Sequence, residues 1–374
     1  MTIGIVTFYN SNNYGAMLQA YALQSYLEVR GHDVIFMKDE NRADDPLWKP
    51  TPLWKFFSKR NLRPFGFGIR STLFNSNREI AERRMLRNIV RPFVKKNLHV
   101  STNTLSSGPL PLDLQRAAYI VGSDQVWHSV WKANRISEVF LTFAPAGSKR
   151  IAYAASFGGT DWTGEHRSIV SDLLQKFDAI GVREKFGVET VKRISNCHAE
   201  HVPDPTLLHR NDFYNNLAKQ AGKDSCAKAF VFEYIFRPSA ASLFHCKLSS
   251  VFKARFRSAR CHPPNISNQP TVASWMKNMR DSAFVLTDSF HGTVFAILWH
   301  KPFIALTRSG NIGDGNERLV SLLSPLGLSN RMFSEYDEAR VDAVLHEMID
   351  WRHVDSIIDS WREHANNFFA KCGL

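Results

Sequence analysis

Ile3-Gly4-Ile5-Val6-Thr7-Phe8-Tyr9-Asn10-Ser11-Asn12-Asn13-Tyr14-Gly15-Ala16-Met17-Leu18 begins as a short apolar run, passes through a polar, turn-rich loop at 10–15, and then turns apolar again. From there Ala16, Leu18, Tyr21, Ala22, Leu23, Tyr26 and Leu27 recur at helical spacing as far as Gly31, a natural helix stop. Asp33-Val34-Ile35-Phe36-Met37 follows as a second strand candidate. Strand, loop, helix and strand make one βαβ unit. Its two strands must run parallel, in a sheet covered on both faces.

The same alternation continues outward. Apolar runs at 118–121, 151–155 and 179–182 read as further strands, and 167–177 as a helix. This unit is expected to close just past Pro203-Asp204-Pro205, giving an N-terminal domain of residues 1–210 with an insertion at about 50–100. A second alternation follows: strands at 230–235, 283–286 and 302–306, and helices at 271–280 and 292–299, for a domain of 211–335. Residues 336–374 read as a helical tail, with Val341, Val344, Leu345, Met348, Ile349, Ile357, Ile358 and Trp361 on its apolar side. The expected architecture is α/β, two Rossmann-like doubly wound domains facing a cleft. Ligands in such sheets lie outside the carboxyl ends of the strands.

Composition narrows the class. A length of 374 residues exceeds one ordinary core. No apolar stretch approaches the ~18 residues that cross a bilayer. Met1-Thr2-Ile3-Gly4-Ile5-Val6 lacks the cationic and apolar regions of a signal peptide. Five scattered cysteines without a close pair argue against a disulfide framework or structural zinc and fit a reducing compartment, so a cytoplasmic location is expected. Of the net charge of +12, the stretch from Lys55 to Lys96 alone carries +10. Its charges interleave with aromatics, and at 78–98 apolar residues fall at helical spacing. Three readings stay open: a solvated helix packed on the first domain, a peripheral contact with an anionic inner-membrane face, or a nucleic-acid contact. The last ranks lowest, because the rest of the chain is nearly neutral and carries no recognised nucleic-acid-binding motif.

Several motifs fall at strand ends. The loop holding Asn13, Tyr14 and Gly15 contains neither GxGxxG nor GxxxxGKS. It reads as an anion site at a helix N-terminus or as an ordinary Asn-capped turn. Val121-Gly122-Ser123-Asp124-Gln125-Val126-Trp127 puts a carboxylate where a parallel sheet holds its ligand, or where Ser123 or Asp124 caps a following helix. Ala154-Ala155-Ser156-Phe157-Gly158 ends a strand with small residues that admit a ligand to the backbone. Arg183 supplies the forked donor suited to carboxylate and phosphate, or pairs with Glu184 or Asp178. Thr287-Asp288-Ser289-Phe290-His291-Gly292 joins a strand to a helix and would present the His291 imidazole to the cleft. The glycine-rich loop from Arg308 to Arg318 is a phosphate clasp anchored by either arginine, or a flexible surface loop.

Taken together and in order, these motifs resemble the polysaccharide pyruvyl transferase family. The matching pieces are the 3–23 start, Ile120–Trp127, Tyr153–Gly158, Val182-Arg183-Glu184, Val202-Pro203-Asp204-Pro205-Thr206 and Thr287–Ala296. The resemblance implies a glycosyltransferase-B-like fold. It also implies transfer of the enolpyruvyl unit of phosphoenolpyruvate onto a sugar, with no metal and no cofactor beyond that donor. The acceptor would be a cell-surface polysaccharide or its lipid-linked precursor, and the product a cyclic pyruvate ketal. By the same resemblance His291 matches the catalytic histidine, Arg183 an arginine that grips the donor, and Asp124 an acidic residue near the acceptor. Asn13, Tyr14, Gly15, Ser123, Gln125, Ser156, Ser289, Phe290, Gly292, Arg308 and Arg318 are the further candidate substrate-binding residues. In one departure, Ser289 stands where ketal-forming members often carry an arginine, so either Arg308 or Arg318 supplies that donor-binding charge or the donor differs. A nucleotide-sugar glycosyltransferase and a non-catalytic nucleic-acid-binding protein are the alternatives.

Overall fold

The computed structural model describes residues 1–38, 84–104, 110, 114–115, 118–128, 135–158, 166–222, 229–252, 257–259, 269–307 and 316–374. The basic stretch up to residue 83, Arg308 and the rest of loop 308–315 lie outside the described residues.

The opening βαβ unit is β1 (Thr2–Val6), α1 (Tyr14–Glu28) and β2 (Asp33–Lys38). Asn13 caps α1 by accepting the Gly15 N–H at 2.9 Å, so the helix starts two residues before the apolar spacing placed it. Gly31, at φ +83°, closes it: its N–H donates to Glu28 O and that of His32 to Leu27 O, a Schellman closure. After α2 (Arg91–Asn97), led in by a π turn at Leu86–Val90, come β3 (Val100–Thr104), β4 (Ala118–Val121), α3 (Ile136–Val139) and β5 (Arg150–Ala155). Next are α4 (His166–Leu174), β6 (Ala179–Val182), α5 (Lys185–Ser195), β7 (Glu200–His201) and α6 (Asn211–Ala218). Strands β1 to β7 form one parallel seven-stranded sheet in the order β3-β2-β1-β4-β5-β6-β7.

A second sheet is built from β8 (Val231–Tyr234), α7 (Pro238–Phe252), β9 (Arg257–Ala259), α8 (Val272–Asp281), β10 (Phe284–Thr287) and α9 (Phe290–Leu298). It is completed by β11 (Phe303–Leu306), α10 (Glu317–Leu323) and β12 (Met332–Phe333). Its five parallel strands run β12-β11-β10-β8-β9. The fold is α/β with two parallel sheets, as the alternation predicts. The strands the sequence reading lacks, β3, β7, β9 and β12, are the edges of the two sheets. β3, β7 and β9 are largely polar, and β12, Met332-Phe333, is only two residues long, so none carries an apolar run to announce it. The helical tail is also divided: α11 (Glu338–His346) and α12 (Trp351–Lys371) start at separate aspartate caps, Asp337 and Asp350.

Two packing features set the relation between the sheets. Helix α1 is buried nearly all round. Its Ala20, Leu23 and Leu27 cover the first sheet, while Tyr14, Met17 and Leu18 enter the core shared with Phe232, Trp275 and Phe295 of the second. Helix α12 crosses back and lays Ala365, Phe368 and Phe369 on the first sheet, where Phe369 meets Tyr153 at 4.4 Å between ring centroids. The segment 85–97 turns its apolar side inward: Met85, Ile89, Val90 and Phe93 are buried in the core under the second sheet, and Arg87, Lys95 and Lys96 point to solvent. Its described part is thus a packed helix with a solvated basic face, and no apolar face remains for acyl chains. No helix among the described residues is long and apolar enough to cross a membrane.

Because Phe369 is fully buried between Tyr26, Tyr153 and Phe368, Phe369→Ala is expected to destabilise the protein by about 3–5 kcal/mol. Chemical denaturation followed by tyrosine and tryptophan fluorescence measures it.

Candidate active site between the two sheets

Each sheet has one place where the strand order reverses. In the first it lies between β1 and β4, whose registered ends Val6 and Val121 lie side by side. In the second it lies between β8 and β10, ending together at Tyr234 and Thr287. Ligands bind in the crevice outside such a reversal, and here the two crevices face each other. The cleft between them, about 830 Å³ with its open mouth, is lined by Asn13, Asp124, Gln125, Phe236, Arg237, Asp288, Ser289, Phe290, His291, Leu306, Asn316, Arg318 and Leu319.

Behind its floor lies a buried charge cluster centred on Asp204, 1% exposed. One carboxylate oxygen accepts from the Thr206 N–H at 3.0 Å and its hydroxyl at 2.7 Å. The other accepts from Ser123 Oγ and Arg183 Nη1, both at 2.9 Å, and lies 3.4 Å from His291 Nε2. That last contact is within ion-pair reach, but the ring N–H is not aligned on any hydrogen-bond acceptor. Burial alone would raise the Asp204 pKa. The charges of His291 and Arg183 and the hydrogen bonds outweigh it and hold the carboxyl well below the usual range. Arg183 also reaches Asp124 Oδ1 at 3.3 Å and Glu184 Oε1 at 3.8 Å, with its guanidinium 4.6 Å from the Phe290 ring centroid. Glu184, donated to by Ser156 Oγ, has its pKa raised by burial despite the opposing charge of Arg183.

The second sheet brings up the histidine. Thr287 Oγ1 donates to Tyr234 O at 2.7 Å and accepts from Ser289 N, which ties the ends of β8 and β10 together. Ser289 then caps α9 by accepting the Gly292 N–H at 3.2 Å. His291 therefore sits in the first turn of α9, one residue earlier than the spacing placed the helix, and is 3% exposed. Its ring lies directly on Gly15 of α1: a Cβ added there would stand 2.2 Å from Nδ1. Tyr234 adds a second tie by donating its hydroxyl to Asn13 Oδ1 at 3.3 Å.

Of the residues singled out from sequence, Asn13, Asp124, Gln125, Ser289, Phe290, His291 and Arg318 line the cleft together. Ser123, Ser156 and Arg183 lie behind it in the charge cluster. Gly15 and Gly292 are packing positions; a Cβ on Gly292 would stand 2.4 Å from Thr287 Oγ1. Tyr14 belongs to the core, stacked on Trp275 at 5.4 Å with its hydroxyl donating to Pro270 O. Arg308 lies outside the described residues. Two readings are corrected. Ser123 and Asp124 do not cap a helix: Ser123 donates to Asp204, and Asp124, at φ +74°, bridges to Ala155 beside β5. Arg183 lines a smaller pocket that shares Phe290 and Arg318 with this cleft; its donors face carboxylates, Glu184 among them, and Asp178 instead accepts from the Arg150 N–H. Asp204, Asp288 and Arg237 have no role in the sequence reading, and Glu184 enters it only as a partner of Arg183, which it is at 3.8 Å. Only Asp204 carried a signal, the Pro-Asp-Pro-Thr turn.

Two outcomes follow from this geometry. A carboxyl whose folded-state pKa is depressed contributes stability that is complete above its unfolded value, about 4, and is lost as pH falls below it. Asp204→Asn should therefore flatten the acid side of the stability–pH curve. By stranding Arg183 and His291 it should also cost about 3–5 kcal/mol at pH 7, read by urea unfolding. Gly15→Ala should lower the melting temperature even though alanine favours helix by about 1 kcal/mol. A gain in melting temperature would contradict the packing of His291 on α1.

Against known proteins, the chain is similar in fold to UDP-GlcNAc 2-epimerase from Neisseria meningitidis bound to UDP-GlcNAc: TM-score 0.51, 10% identity, 99% of this chain and 100% of that one covered. UDP-GlcNAc 2-epimerase from Methanocaldococcus jannaschii follows at TM-score 0.46 and 10% identity over 94% and 93%. The E. coli heptosyltransferase with ADP stands at TM-score 0.38 and 12% identity over 96% and 100%. The architecture is that of the glycosyltransferase-B fold. No curated protein matches the sequence at a significant level. The family model of polysaccharide pyruvyl transferases, however, matches residues 13–310, a span that takes in α1, the ends of β4, β8 and β10 and the whole charge cluster. The chain belongs to the polysaccharide pyruvyl transferase family and is a transferase.

Proposed function

We propose that the protein moves the enolpyruvyl unit of phosphoenolpyruvate onto two hydroxyls of one sugar, in a cell-surface polysaccharide or its lipid-linked precursor. The product is a cyclic pyruvate ketal, and inorganic phosphate leaves. The observation that carries this reading is the meeting of His291 from one strand reversal with Asp124 from the other, across a polar cleft, in a chain of this family.

The chemistry asks for two proton movements. A proton must reach the methylene carbon of the donor while a sugar oxygen bonds to the neighbouring carbon, which develops oxocarbenium character. Phosphate then departs from that carbon and the second hydroxyl takes its place. One hydroxyl proton thus ends in the new methyl group and the other on phosphate. His291 is assigned as the acid that protonates the methylene carbon. Asp204, 3.4 Å behind its ring, is the counter-ion and orienting group for the imidazolium. Asp124 orients or deprotonates the attacking hydroxyl, since its carboxylate belongs both to the cleft lining and to the Arg183 pair. Arg183 acts by holding Asp124 and Asp204 at fixed positions. Arg318, which lines the cleft from α10, and the N–H groups at the start of α9 favour an anionic donor.

His291→Ala should reduce acceptor-dependent phosphate release by about 10²- to 10⁴-fold while the protein remains folded; near-wild-type release would remove the histidine from the mechanism. Thermal-shift measurements separate donors: stabilisation by phosphoenolpyruvate but not by a nucleoside diphosphate supports the proposal. The opposite pattern would make the protein a nucleotide-sugar enzyme. With the correct acceptor, mass spectrometry should show the sugar gaining one pyruvate ketal.

A further inference from the structure

A cleft that takes phosphoenolpyruvate must neutralise a carboxylate and a phosphate. The expected arginine, Arg183, is 3% exposed and committed to Asp124, Asp204 and Glu184. Asp124 and one further carboxylate, Asp288, line the cleft and would repel an anion. Cations must come from elsewhere.

We propose that Arg237 is the side chain that grips an oxyanion of the donor, and that Asp288 is its positioning residue. Arg237 follows β8 at the strand reversal of the second sheet and lines the cleft together with His291, Asp124 and Arg318. Its placement is built from below. The Asp288 carboxylate accepts the Phe236 N–H at 2.7 Å, the Arg237 N–H at 2.9 Å and Arg237 Nε at 3.1 Å. The Asp288 side chain is 1% exposed, and these three hydrogen bonds fix the 236–237 turn together with one edge of the guanidinium. The opposite edge, Nη1 and Nη2, makes no protein hydrogen bond among the described residues. At 34% exposure the Arg237 side chain is open to a ligand rather than sealed in protein. A guanidinium held by Nε with its terminal edge free is pre-organised to donate two parallel hydrogen bonds to a carboxylate or phosphate. Ser289 is uncharged, and its hydroxyl is already occupied in capping α9.

This inference rests on the donor proposed above, and the test separates the two. Titration calorimetry of the full chain with phosphoenolpyruvate should show affinity falling about 10- to 100-fold in Arg237→Ala, the effect of losing one charge-assisted pair. Arg237→Lys, which keeps the charge but not the fork, should lose part of it and covers the case of an alanine variant that fails to fold. Inorganic phosphate and pyruvate, titrated separately, report which end of the donor is held, since only that probe should weaken. Asp288→Asn should raise KM for phosphoenolpyruvate with kcat largely kept, and Arg237→Ala should cost less in that background than in wild type. Unchanged phosphoenolpyruvate affinity in both Arg237 variants would overturn the role of Arg237 while leaving the proposed reaction standing. Wild-type protein that binds nucleoside diphosphate and no phosphoenolpyruvate would instead overturn the reaction.

Discussion

An ionised carboxylate cannot stay buried without partners, and Asp204 is the buried carboxylate on which this fold turns. Its neutralisation is divided. Ser123, Arg183 and Thr206 come from the first sheet and the loop that follows it, and His291 comes from the second. Desolvating the carboxylate costs several kcal/mol unless every partner is in place. The two sheets are thus held to one relative position by a charge requirement as well as by their shared apolar core. The imidazole proposed as the acid is also one of the groups that balance this buried charge.

Helix α1 carries the other half of the arrangement. Buried on one side against the first sheet and on the other against Trp275 and Phe295, it is the common wall of both layers. Its N-terminal turn supplies Asn13 to the cleft and a bare Cα at Gly15 against which the His291 ring lies. A side chain at that point would push the imidazole off Asp204, so the requirement for glycine here is one of contact distance and not of backbone angle. Two strand reversals, one shared helix and one shared carboxylate are sufficient to assemble a polar cleft whose walls come from distant parts of the chain.

Much of this was legible in the sequence because buried parallel strands write themselves as apolar runs: β1, β4, β6 and β10 are read directly. The edge strands are not, since Val100-Ser101-Thr102-Asn103-Thr104 and Glu200-His201 have one open side and need no such run. Position at a strand end marked His291 and Asp124 as cleft residues. It did not reveal that Arg183 faces inward, because its partners lie 59 and 21 residues away along the chain and only the folded sheet brings them together. Arg237 sits in Phe236-Arg237-Pro238 with no pattern around it; its role depends on Asp288, 51 residues later. The amphipathic spacing at 85–94 showed an apolar side but not what covers it, and in the fold that cover is the core around α1 and the second sheet.

The return of α12 to the first sheet bears on how the chain is made. Tyr153, Gly181 and Val202 are synthesised more than 160 residues before Phe368 and Phe369 reach them. Until α12 is made, the part of that face around Tyr153, Gly181 and Val202 lacks the cover of Phe368 and Phe369, and a nascent chain exposing it is a natural substrate for chaperones and a site for wrong association. The first sheet is therefore made well before the helix that completes its cover.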